Sequence, residues 1–220
     1  PEPARSLTLD ACAHGKQIGT ANKALLAQDG NEIFAAAHAK GVMVAFEGAV
    51  AGGVPIIKAL REGLTANRIE WIAGIINGTS NFILSTMRET GASFETALKE
   101  AQARGYAEAD PTFDVNGIDS AHKLAIMSAI AFGVPMQFDK AYAEGIPNPS
   151  RDDLRYASEL VYRIKLFAIR PRPATGTVLR ARPTKVPSCP PHAHGDWTST
   201  PHRAPPDTAA RQPALPPVAG

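Results

Sequence analysis

In the first fifty residues, the spacing of apolar positions predicts helices and strands in turn, as in an α/β protein. Residues 3–14 show a helical pattern, and residues 17–20 form a short strand candidate. An alanine-rich stretch over residues 31–40 predicts a second helix, which a glycine ends. The continuous apolar run of residues 42–46 is typical of a buried parallel strand. This order predicts the last part of a doubly wound sheet.

Helices dominate the pattern that follows this predicted sheet. A glycine-rich turn over residues 47–54 leads into Pro55, which suits the first position of a helix. A strongly amphipathic helix is predicted after a polar loop, residues 105–116, that is rich in carboxylates. The helix that starts at Asp152 is expected to turn into a strand near Arg163. The pattern predicts helices over residues 55–62, 79–90, 93–104, 118–132 and 152–168, and strands over residues 69–77 and 177–182.

The composition argues against several classes of protein. Hydrophobic residues make up 44% of the 220 residues, so the chain can bury a sizeable core, while a net charge of +2 argues against a nucleic-acid binder with a concentrated basic face. No apolar run approaches the roughly 18 residues of a membrane-spanning helix, and no signal peptide is recognised. Cys12 and Cys189 form no CxxC pair, which fits a reducing cytoplasm. Because the chain does not begin with Met, we expect it to be part of a longer protein.

The composition changes near the end of the chain. Residues 171–220 hold 12 of the 19 prolines, and they carry six Lys or Arg residues against two acidic residues. Proline at this density removes backbone donors and disfavours regular pairing. We therefore expect residues 184–220 to form a proline-rich, disordered tail. The tail can be interpreted as a basic recognition segment or as sequence that is not native coding sequence, as after a shift of reading frame.

The stretch GYAEADPTFDVNGIDSAHK concentrates residues that could carry chemistry. Asp119 and Lys123 are four residues apart on a predicted helix and therefore share one face, and the loop before it presents Glu108 and Asp114. Three carboxylates and one ammonium can bind a zwitterion, and a lysine beside a carboxylate can exchange a proton where charge develops on oxygen. From spacing alone, the favoured interpretation is an ordinary surface ion pair worth at most about 0.5 kcal/mol. The neighbouring His122 is interpreted as a satisfied, non-catalytic histidine.

A second candidate is the run EGAVAGGV, which follows the predicted strand of residues 42–46. Ligands collect at the carboxyl ends of strands in doubly wound sheets, and glycines let backbone groups approach an ion closely. Glu47 together with carbonyl oxygens would suit a hard cation such as sodium or calcium. A tight connection between a strand and a helix explains the same run equally well.

A third candidate is the run GTANKALLA, in which Lys23 follows a predicted strand end and could lie near a cofactor crevice. The position is weak evidence by itself, since a lysine after a strand is usually solvated. The chain contains no GxGxxG, the fingerprint that binds dinucleotide phosphates between a strand and a helix. The sequence therefore shows no phosphate-binding turn.

These runs occur together in the order found in the homoserine dehydrogenase family, which the sequence resembles over roughly residues 2–183. GTANKALLAQDGNEIFAAA is similar to the end of the family's nucleotide-binding domain, and FEGAVAGGVPIIKALREGLTANRI to its hinge and cation-binding segment. WIAGIINGTSNFILSTM and ARGYAEADPTFDVNGIDSAHKLAIMSAIAFG are similar to the start and the signature of its catalytic domain. The resemblance implies an α/β protein: the C-terminal remnant of an NAD(P)-binding Rossmann domain (residues 1–50), then an α+β catalytic and dimerisation domain with a mixed sheet (residues 51–183).

The resemblance also implies an activity and a set of site residues. The family interconverts L-homoserine and L-aspartate 4-semialdehyde with NAD or NADP in the biosynthesis of threonine and methionine, and the resemblance implies a cytoplasmic homodimer. Lys123 matches the catalytic lysine that gives a proton to the aldehyde oxygen, and Asp119 matches the catalytic, substrate-contacting acid one helical turn earlier. The other matched positions are the substrate-binding Glu108 and Asp114, the cofactor-binding Lys23 and Gly105, and the sodium-binding set Glu47, Val50, Gly52 and Val54, in which three ligands are backbone carbonyls.

The sequence departs from the family pattern in three places. The first strand of the nucleotide-binding domain and its glycine-rich turn are absent, so we expect poor cofactor affinity in this chain alone. Ile18 and Gly19 stand where the family has two valines or similar residues, which should loosen a buried strand. Beyond Pro183 the family pattern is not recognised. Two functions therefore stand side by side: homoserine dehydrogenase activity, or an inactive remnant that only dimerises and binds substrate.

Overall fold

The structure, a computed structural model, describes residues 2–172 and 179–188. The helices are α1 (Ala4–Ala13), α2 (Lys23–Lys40), α3 (Ile56–Lys58, extended by a π-helical turn at Ala59–Gly63), α4 (Gly78–Thr90), α5 (Phe94–Ala103), α6 (Thr112–Val115), α7 (Ile118–Phe132) and α8 (Arg151–Glu159). The strands are β1 (Ile18–Gly19), β2 (Val44–Ala45), β3 (Trp71–Gly74), β4 (Tyr142–Ala143), β5 (Tyr162–Pro171) and β6 (Arg180–Pro187).

The first sheet consists of β1 and β2, which run parallel with Ile18 beside Val44. Helix α2 connects the two strands and ends at Gly41, whose φ of +64° places it in the left-handed region. Parallel strands need such a crossover, and a strand–helix–strand unit is the repeating element of doubly wound sheets. The predicted α/β character of the first fifty residues is therefore confirmed.

The second sheet is mixed and has the strand order β3-β5-β6-β4. Strand β5 pairs antiparallel with β3 and with β6, whereas β4 runs parallel to β6. On β5, Leu166, Ala168 and Arg170 are buried, while Ile169 is 37% exposed. The predicted mixed sheet is confirmed, and alternation along β5 gives it a buried face and a more exposed face.

Helix α7 connects the two sheets through the larger hydrophobic core. Buried residues from α2, β2, α7, β5 and β6 share this core, among them Leu26, Val44, Leu124, Ala168 and Ala181. A second core lies between α4, α5, α8 and the start of β5. Helix α7 packs against strands of both sheets, and this packing holds its N-terminal end in a fixed position. No helix in the described part of the chain has the length and apolarity that a bilayer crossing requires.

The loop that carries Asp114 is held by a close contact to the segment after β4. A Cβ atom on Gly145 would lie 2.6 Å from the carbonyl oxygen of Val115, closer than real side chains approach. The next residue, Ile146, donates its backbone N–H to that same oxygen at 2.8 Å. Glycine is therefore required at this position, because only a residue without a side chain allows the two backbones to approach so closely.

Helices α2, α6 and α8 differ from the sequence prediction. Helix α8 ends at Glu159, and β5 begins at Tyr162, next to the predicted change into a strand near Arg163. Helix α2 begins at Lys23 rather than at residue 31, because the side-chain oxygen of Asn22 accepts a hydrogen bond from the N–H of Leu25 at 3.0 Å and so caps the helix early. The polar loop of residues 105–116 contains the short helix α6, which follows Pro111. The start of α2 depends on a local cap, which the apolar periodicity does not show, whereas α6 is a single short turn without a side-chain cap.

Strand β6 corrects the predicted start of the tail. The prediction of disorder from residue 184 is wrong for residues 184–187, because β6 continues to Pro187 in an antiparallel pair with β5. Strand β4 pairs with β6 only as far as Ala181, so in the described part of the chain the rest of β6 has a free edge. Proline is tolerated on such an edge. The rest of the predicted tail from residue 189, like residues 177 and 178 of the last predicted strand, lies outside the described residues.

Candidate active site

Asp119 is the centre of a polar cluster in the first turn of α7. Its side chain is 4% exposed, and its two carboxylate oxygens contact three nitrogen atoms. Oδ1 lies 3.2 Å from Nζ of Lys23, and Oδ2 lies 2.8 Å from Nζ of Lys123. Oδ2 also accepts a hydrogen bond from Nδ2 of Asn77 at 2.9 Å. The pair expected from the four-residue spacing is therefore present, but it is buried, unlike an ordinary surface ion pair.

The surroundings of Asp119 keep its carboxyl group ionised. Burial works to raise the pKa of Asp119, because a charge is less stable away from water. The charge and hydrogen bond of Lys123 outweigh this effect, with help from Asn77 and Lys23, so the pKa of Asp119 is lowered overall. Asp119 is thus a fixed negative charge between two ammonium groups.

Lys123 is held at two points. Its Nζ pairs with Asp119 and donates a hydrogen bond to the backbone oxygen of Ile76 at 2.8 Å. An ammonium group has three N–H donors, so these contacts with described residues leave one for an oxygen of a bound molecule. The side chain of Lys123 is 19% exposed, which leaves a path from solvent to the amine. The arrangement fixes the amine and keeps a proton available for transfer.

Asn77 connects Asp119 to a second carboxylate. Its Nδ2 donates to Oδ1 of Asp114 at 2.7 Å as well as to Asp119, while its Oδ1 accepts from the N–H of Ser80 at 2.8 Å and caps α4. Asn77 is not among the residues predicted from the sequence. An asparagine directly before a helix is a recognisable N-cap signal, but its contact with Asp114, 37 residues away, has no local signal.

Lys23 reaches the cluster from the first sheet. It is the first residue of α2, and three residues separate it from the carboxyl end of β1. Besides its contact with Asp119, its Nζ lies 5.9 Å from the ring centroid of Phe113, within the range of a cation–π interaction. The structure therefore brings Lys23 and Asp119 together, and Lys23 is not simply a solvated lysine.

Two predicted positions lie outside this hydrogen-bonded cluster. Glu108 is exposed, and its backbone oxygen accepts a hydrogen bond from Gln102 at 3.0 Å. Its carboxylate makes no hydrogen bond or ion pair with any described residue. Gly105, with a φ of +73°, follows α5 and has open space where a side chain would be. Both lie in the exposed loop that leads to Asp114, so both are accessible to a ligand.

His122 differs from the interpretation made from the sequence. Its ring is fully buried between Phe113 and Phe138, with centroid distances of 5.1 and 4.1 Å. Neither ring nitrogen has a hydrogen-bond partner among the described residues, so the interpretation as a satisfied histidine is wrong. The two aromatic rings occupy the space that a polar partner would need. Burial lowers the pKa of His122 from 6.5 to about 4, against the attraction of Asp119 and together with the repulsion of Lys23.

The predicted cation segment forms the connection between β2 and α3. Glu47 is half-buried, and its Oε1 and Oε2 accept hydrogen bonds from the backbone N–H groups of Ile57 and Lys58, both at 2.9 Å. The carboxylate thus caps the start of α3. The backbone turns through left-handed conformations at Ala51 and Gly53, with φ of +50° and +86°. The segment is a tight connection, as one of the two interpretations expected.

The candidate ligands of this connection are all oxygen atoms, the donor type that a hard cation prefers. Each carboxylate oxygen of Glu47 has a further lone pair, and the other candidate ligands are backbone oxygens of Val50, Gly52 and Val54. Oxygen-only donor sets suit sodium or calcium rather than a transition metal. In residues 2–172 and 179–188 no group of three or more His, Cys, Asp or Glu side chains could hold a metal ion.

The family model for homoserine dehydrogenase matches residues 55–199 of the chain. The matched segment includes Asp119, Lys123 and Asn77, and it begins just after the cation segment. It also continues past Pro183, so the expectation that the family pattern ends there is wrong.

Curated relatives and solved structures point the same way. The homoserine dehydrogenase of Pseudomonas aeruginosa is 63% identical over 185 residues, which cover 84% of this chain and 43% of the relative. That of Neisseria gonorrhoeae is 60% identical over 184 residues, which cover 84% of this chain and 42% of the relative. The crystal structure of a homoserine dehydrogenase from Thiobacillus denitrificans matches with a TM-score of 0.86 at 67% identity, over 88% of this chain and 45% of that one. The chain thus spans less than half the length of these relatives.

A more distant structure, a hyperthermophilic archaeal homoserine dehydrogenase in complex with NADPH, matches with a TM-score of 0.72 at 28% identity. The match covers 86% of this chain and 54% of that one. The likeness therefore holds for a relative whose structure contains a nicotinamide cofactor.

Proposed function

The chain belongs to the homoserine dehydrogenase family, and we propose that it carries the substrate-binding and proton-transfer part of an NAD(P)-dependent homoserine dehydrogenase. The proposed reaction interconverts L-homoserine and L-aspartate 4-semialdehyde in the biosynthesis of threonine and methionine. The observation that supports it best is the buried contact between Asp119 and Lys123, with Asp114 linked to it through Asn77. This cluster suits a short amino acid with an ammonium at one end and a reacting oxygen at the other.

Lys123 is the proposed proton donor in the direction of aldehyde reduction. As the carbonyl carbon is reduced, negative charge develops on its oxygen, and a fixed ammonium beside that oxygen stabilises the charge and supplies the proton. The third N–H bond of Lys123 is the one that its contacts with described residues leave free for this purpose. In the reverse direction the amine accepts the proton of the homoserine hydroxyl group.

The carboxylates have different proposed tasks. Glu108 is exposed and Asp114 is half-buried, so the carboxylate oxygens of both residues can accept hydrogen bonds from a substrate ammonium. Asp119 is already engaged by Lys23 and Lys123, so it orients the catalytic lysine while it borders the substrate. This division places the ammonium-binding acids on the loop before α7 and the proton donor on α7 itself.

The residues of this chain fit one end of a dinucleotide cofactor. Lys23 lies at the carboxyl end of β1, the edge of a parallel sheet where nucleotides bind, and Gly105 offers open space beside the carboxylate loop. When bound, the nicotinamide ring supplies or accepts the hydride. The sequence contains no phosphate-binding GxGxxG, so Lys23 and Gly105 are proposed to border only the nicotinamide end.

We assign a sodium ion to Glu47 and the backbone oxygens of Val50, Gly52 and Val54. Support comes from the oxygen-only donor set and from the left-handed turns at this connection. Because Glu47 also caps α3, an ion there would fix the connection between the two sheets. The task of the ion is thus structural and not part of the proton transfer.

The proposed assembly is a homodimer formed through the exposed face of the second sheet. Trp71 is 61% exposed and pairs with Pro171, while Ala73 pairs with Ile169, which is 37% exposed. Residues two apart on paired strands share a face, so these side chains form one apolar stripe. A stripe of this kind on a soluble biosynthetic enzyme suits burial against a second copy.

The assembled cluster argues for part of an active site over an inactive remnant, because the buried charge of Asp119 and the partly buried charges of Lys23 and Lys123 are not needed for packing. Burying charges costs free energy unless they are paired, and apolar residues of similar size would pack as well. A remnant that only dimerises and binds substrate would use carboxylates for the substrate ammonium, but it has no need of an ammonium group fixed beside them.

The test joins the nucleotide-binding part of the Pseudomonas aeruginosa homoserine dehydrogenase ahead of this chain. We expect the chimera to oxidise L-homoserine with NADP, followed by absorbance of the reduced cofactor, and to leave L-serine and L-threonine unreacted. A matched chimera with Lys123→Met measures the background. A folded chimera that shows no activity above this background would refute the proposed function.

A further inference from the structure

We propose that Asn77 is a positioning residue that holds Asp114 and Asp119 side by side through the two hydrogens of its side-chain amide. The inference deepens the proposed function and rests on it. Asn77 is not proposed to react or to touch the reacting atoms. It sets the distance between the carboxylate that binds the substrate ammonium and the carboxylate that orients Lys123.

The side-chain amide of Asn77 makes three hydrogen bonds, two through its NH₂ group and one through its oxygen. The NH₂ group has two donors, one directed to Asp114 at 2.7 Å and one to Asp119 at 2.9 Å. The carbonyl oxygen accepts from the backbone of Ser80 at 2.8 Å. The residue is 4% exposed, so water is largely excluded from these bonds. A side chain held at three points has one orientation.

The electrostatic reason for an amide at this point is the closeness of two like charges. Asp114 and Asp119 both accept from one nitrogen atom, so their carboxylates lie close together and repel each other. A neutral group that directs N–H bonds at both offsets this repulsion without adding a charge. The ionisable groups around Asp119 are Lys23 from α2, Lys123 and the buried His122 from α7, and Asp114 from α6.

The backbone beside Asn77 positions the lysine as well. The carbonyl oxygen of Ile76, the preceding residue, accepts the hydrogen bond from Lys123. Two consecutive residues between β3 and α4 therefore contact the catalytic lysine and both acids. Because Asn77 also caps α4, the start of that helix and the geometry of the site are fixed by the same residue.

Two variants separate positioning from helix capping. In Asn77→Asp the side chain keeps its shape and a capping oxygen for Ser80, but a carboxylate oxygen replaces the donor between two acids. In Asn77→Ser a capping oxygen is also kept, but a single O–H can serve only one carboxylate. Ser93→Ala is the matched control, since it removes the side-chain cap of α5 at the N–H of Thr96 and touches no site residue.

The first measurement is the titration of Asp119 in the 220-residue chain, followed by ¹³C NMR of labelled aspartate carboxyl groups and assigned with Asp119→Asn. We expect the pKa of Asp119 to rise by about one unit or more in Asn77→Asp, by a smaller shift in Asn77→Ser, and to be unchanged in Ser93→Ala. If the pKa of Asp119 is the same in both Asn77 variants as in the parent chain, Asn77 is only a helix cap and the proposal is overturned.

The second measurement is calorimetric binding of L-homoserine by the same proteins. We expect the affinity to fall at least tenfold in Asn77→Asp and to be unchanged in Ser93→Ala. Equal affinity in Asn77→Asp and the parent chain would also overturn the positioning role. If the parent chain binds no homoserine, the proposed substrate fails, and the titration of Asp119 alone then decides whether Asn77 couples the two acids.

Discussion

The ammonium nitrogen of Lys123 lies 2.8 Å from Oδ2 of Asp119, one helical turn earlier on α7. Because Asp119 is buried and ionised, it holds the amine of Lys123 at a fixed point of the site. The same carboxylate contacts Lys23, which follows β1 in the first sheet. Asp119 therefore connects the proposed proton donor, Lys123, to the sheet edge at which a cofactor is proposed to bind.

The first prediction concerns Lys123, the proposed proton donor. We expect Lys123→Met, in the chimera with the Pseudomonas aeruginosa nucleotide-binding part, to lower kcat by about 10²- to 10⁴-fold, the usual contribution of a positioned general acid. Lys123→Arg keeps the positive charge but cannot release a proton near neutral pH, so we expect it to be similarly inactive. Steady-state kinetics of homoserine oxidation measure both losses.

A matched control is Lys99→Met on the exposed side of α5, which removes a lysine that lies outside the site and should leave kcat unchanged. Near-normal kcat in Lys123→Arg would mean that Lys123 acts through its charge alone. Near-normal kcat in Lys123→Met would exclude both roles. Circular dichroism of each variant confirms that the fold is retained.

The elements that the sequence predicts well are those in which local signals agree. Helix α7 has the predicted bounds, since strong amphipathicity coincides with left-handed glycines, Gly117 and Gly133, at its two ends. The predicted second helix begins eight residues after the start of α2, because Gly30 and its polar neighbours interrupt the apolar pattern while the cap at Asn22 still starts the helix. The predicted last strand ends at residue 182, five residues before the end of β6, because the proline-rich composition does not show that these residues pair with β5.

The site was predictable only where its contacts are local. Asp119 and Lys123 are neighbours on one helix, so their contact follows from spacing. Lys23 and Asp119 are 96 positions apart in the sequence, and only the family resemblance predicts that Lys23 belongs to the site. The contacts of Asn77 depend on how the end of β3 meets α7, which no local pattern encodes.

The second prediction concerns acid stability and His122. The pKa of this buried histidine is about 4 in the folded chain, below its ordinary 6.5, so the unfolded chain binds more protons between these values. Stability is therefore full above pH 6.5 and falls as the pH drops towards 4, by up to about 3 kcal/mol. Urea unfolding at a series of pH values measures this slope.

His122→Leu should flatten the slope between pH 6.5 and 4, because the group that takes up the proton is gone. It should cost little at neutral pH, since the two ring nitrogens of His122 have no partner among the described residues. His14→Gln, at an exposed histidine of α1, is the control and should keep the slope. The idea fails if His122→Leu and the parent chain lose stability in parallel.

The third prediction concerns the cation assigned to Glu47. We expect sodium chloride to stabilise the chain more than equal choline chloride does, by about 1.4 kcal/mol at a sodium concentration ten times the Kd. Glu47→Gln should abolish the difference, because the only carboxylate of the donor set is neutralised. Thermal unfolding in the two salts at equal ionic strength gives the comparison.

The exposed Glu62, in the π-helical turn after α3, provides the matched control. Glu62→Gln removes the same charge from the same segment but none of the proposed ligands, so it should keep the sodium effect. Equal responses of Glu47→Gln and Glu62→Gln to sodium would contradict the assignment. A lower Tm of Glu47→Gln in both salts is expected in addition, since the caps of Ile57 and Lys58 are weakened.

The fourth prediction concerns assembly through the exposed face of the second sheet. Trp71 and Ile169 lie on this face, and a buried indole contributes about 2 kcal/mol or more to an interface. We expect the parent chain to sediment as a dimer at micromolar concentration and Trp71→Glu to sediment as a monomer, because a carboxylate would then be buried without a partner.

Leu7→Glu changes a similarly exposed apolar residue of α1 and should leave the dimer intact. A parent chain that is monomeric, or a Trp71→Glu variant that still dimerises, would show that this face is not the interface.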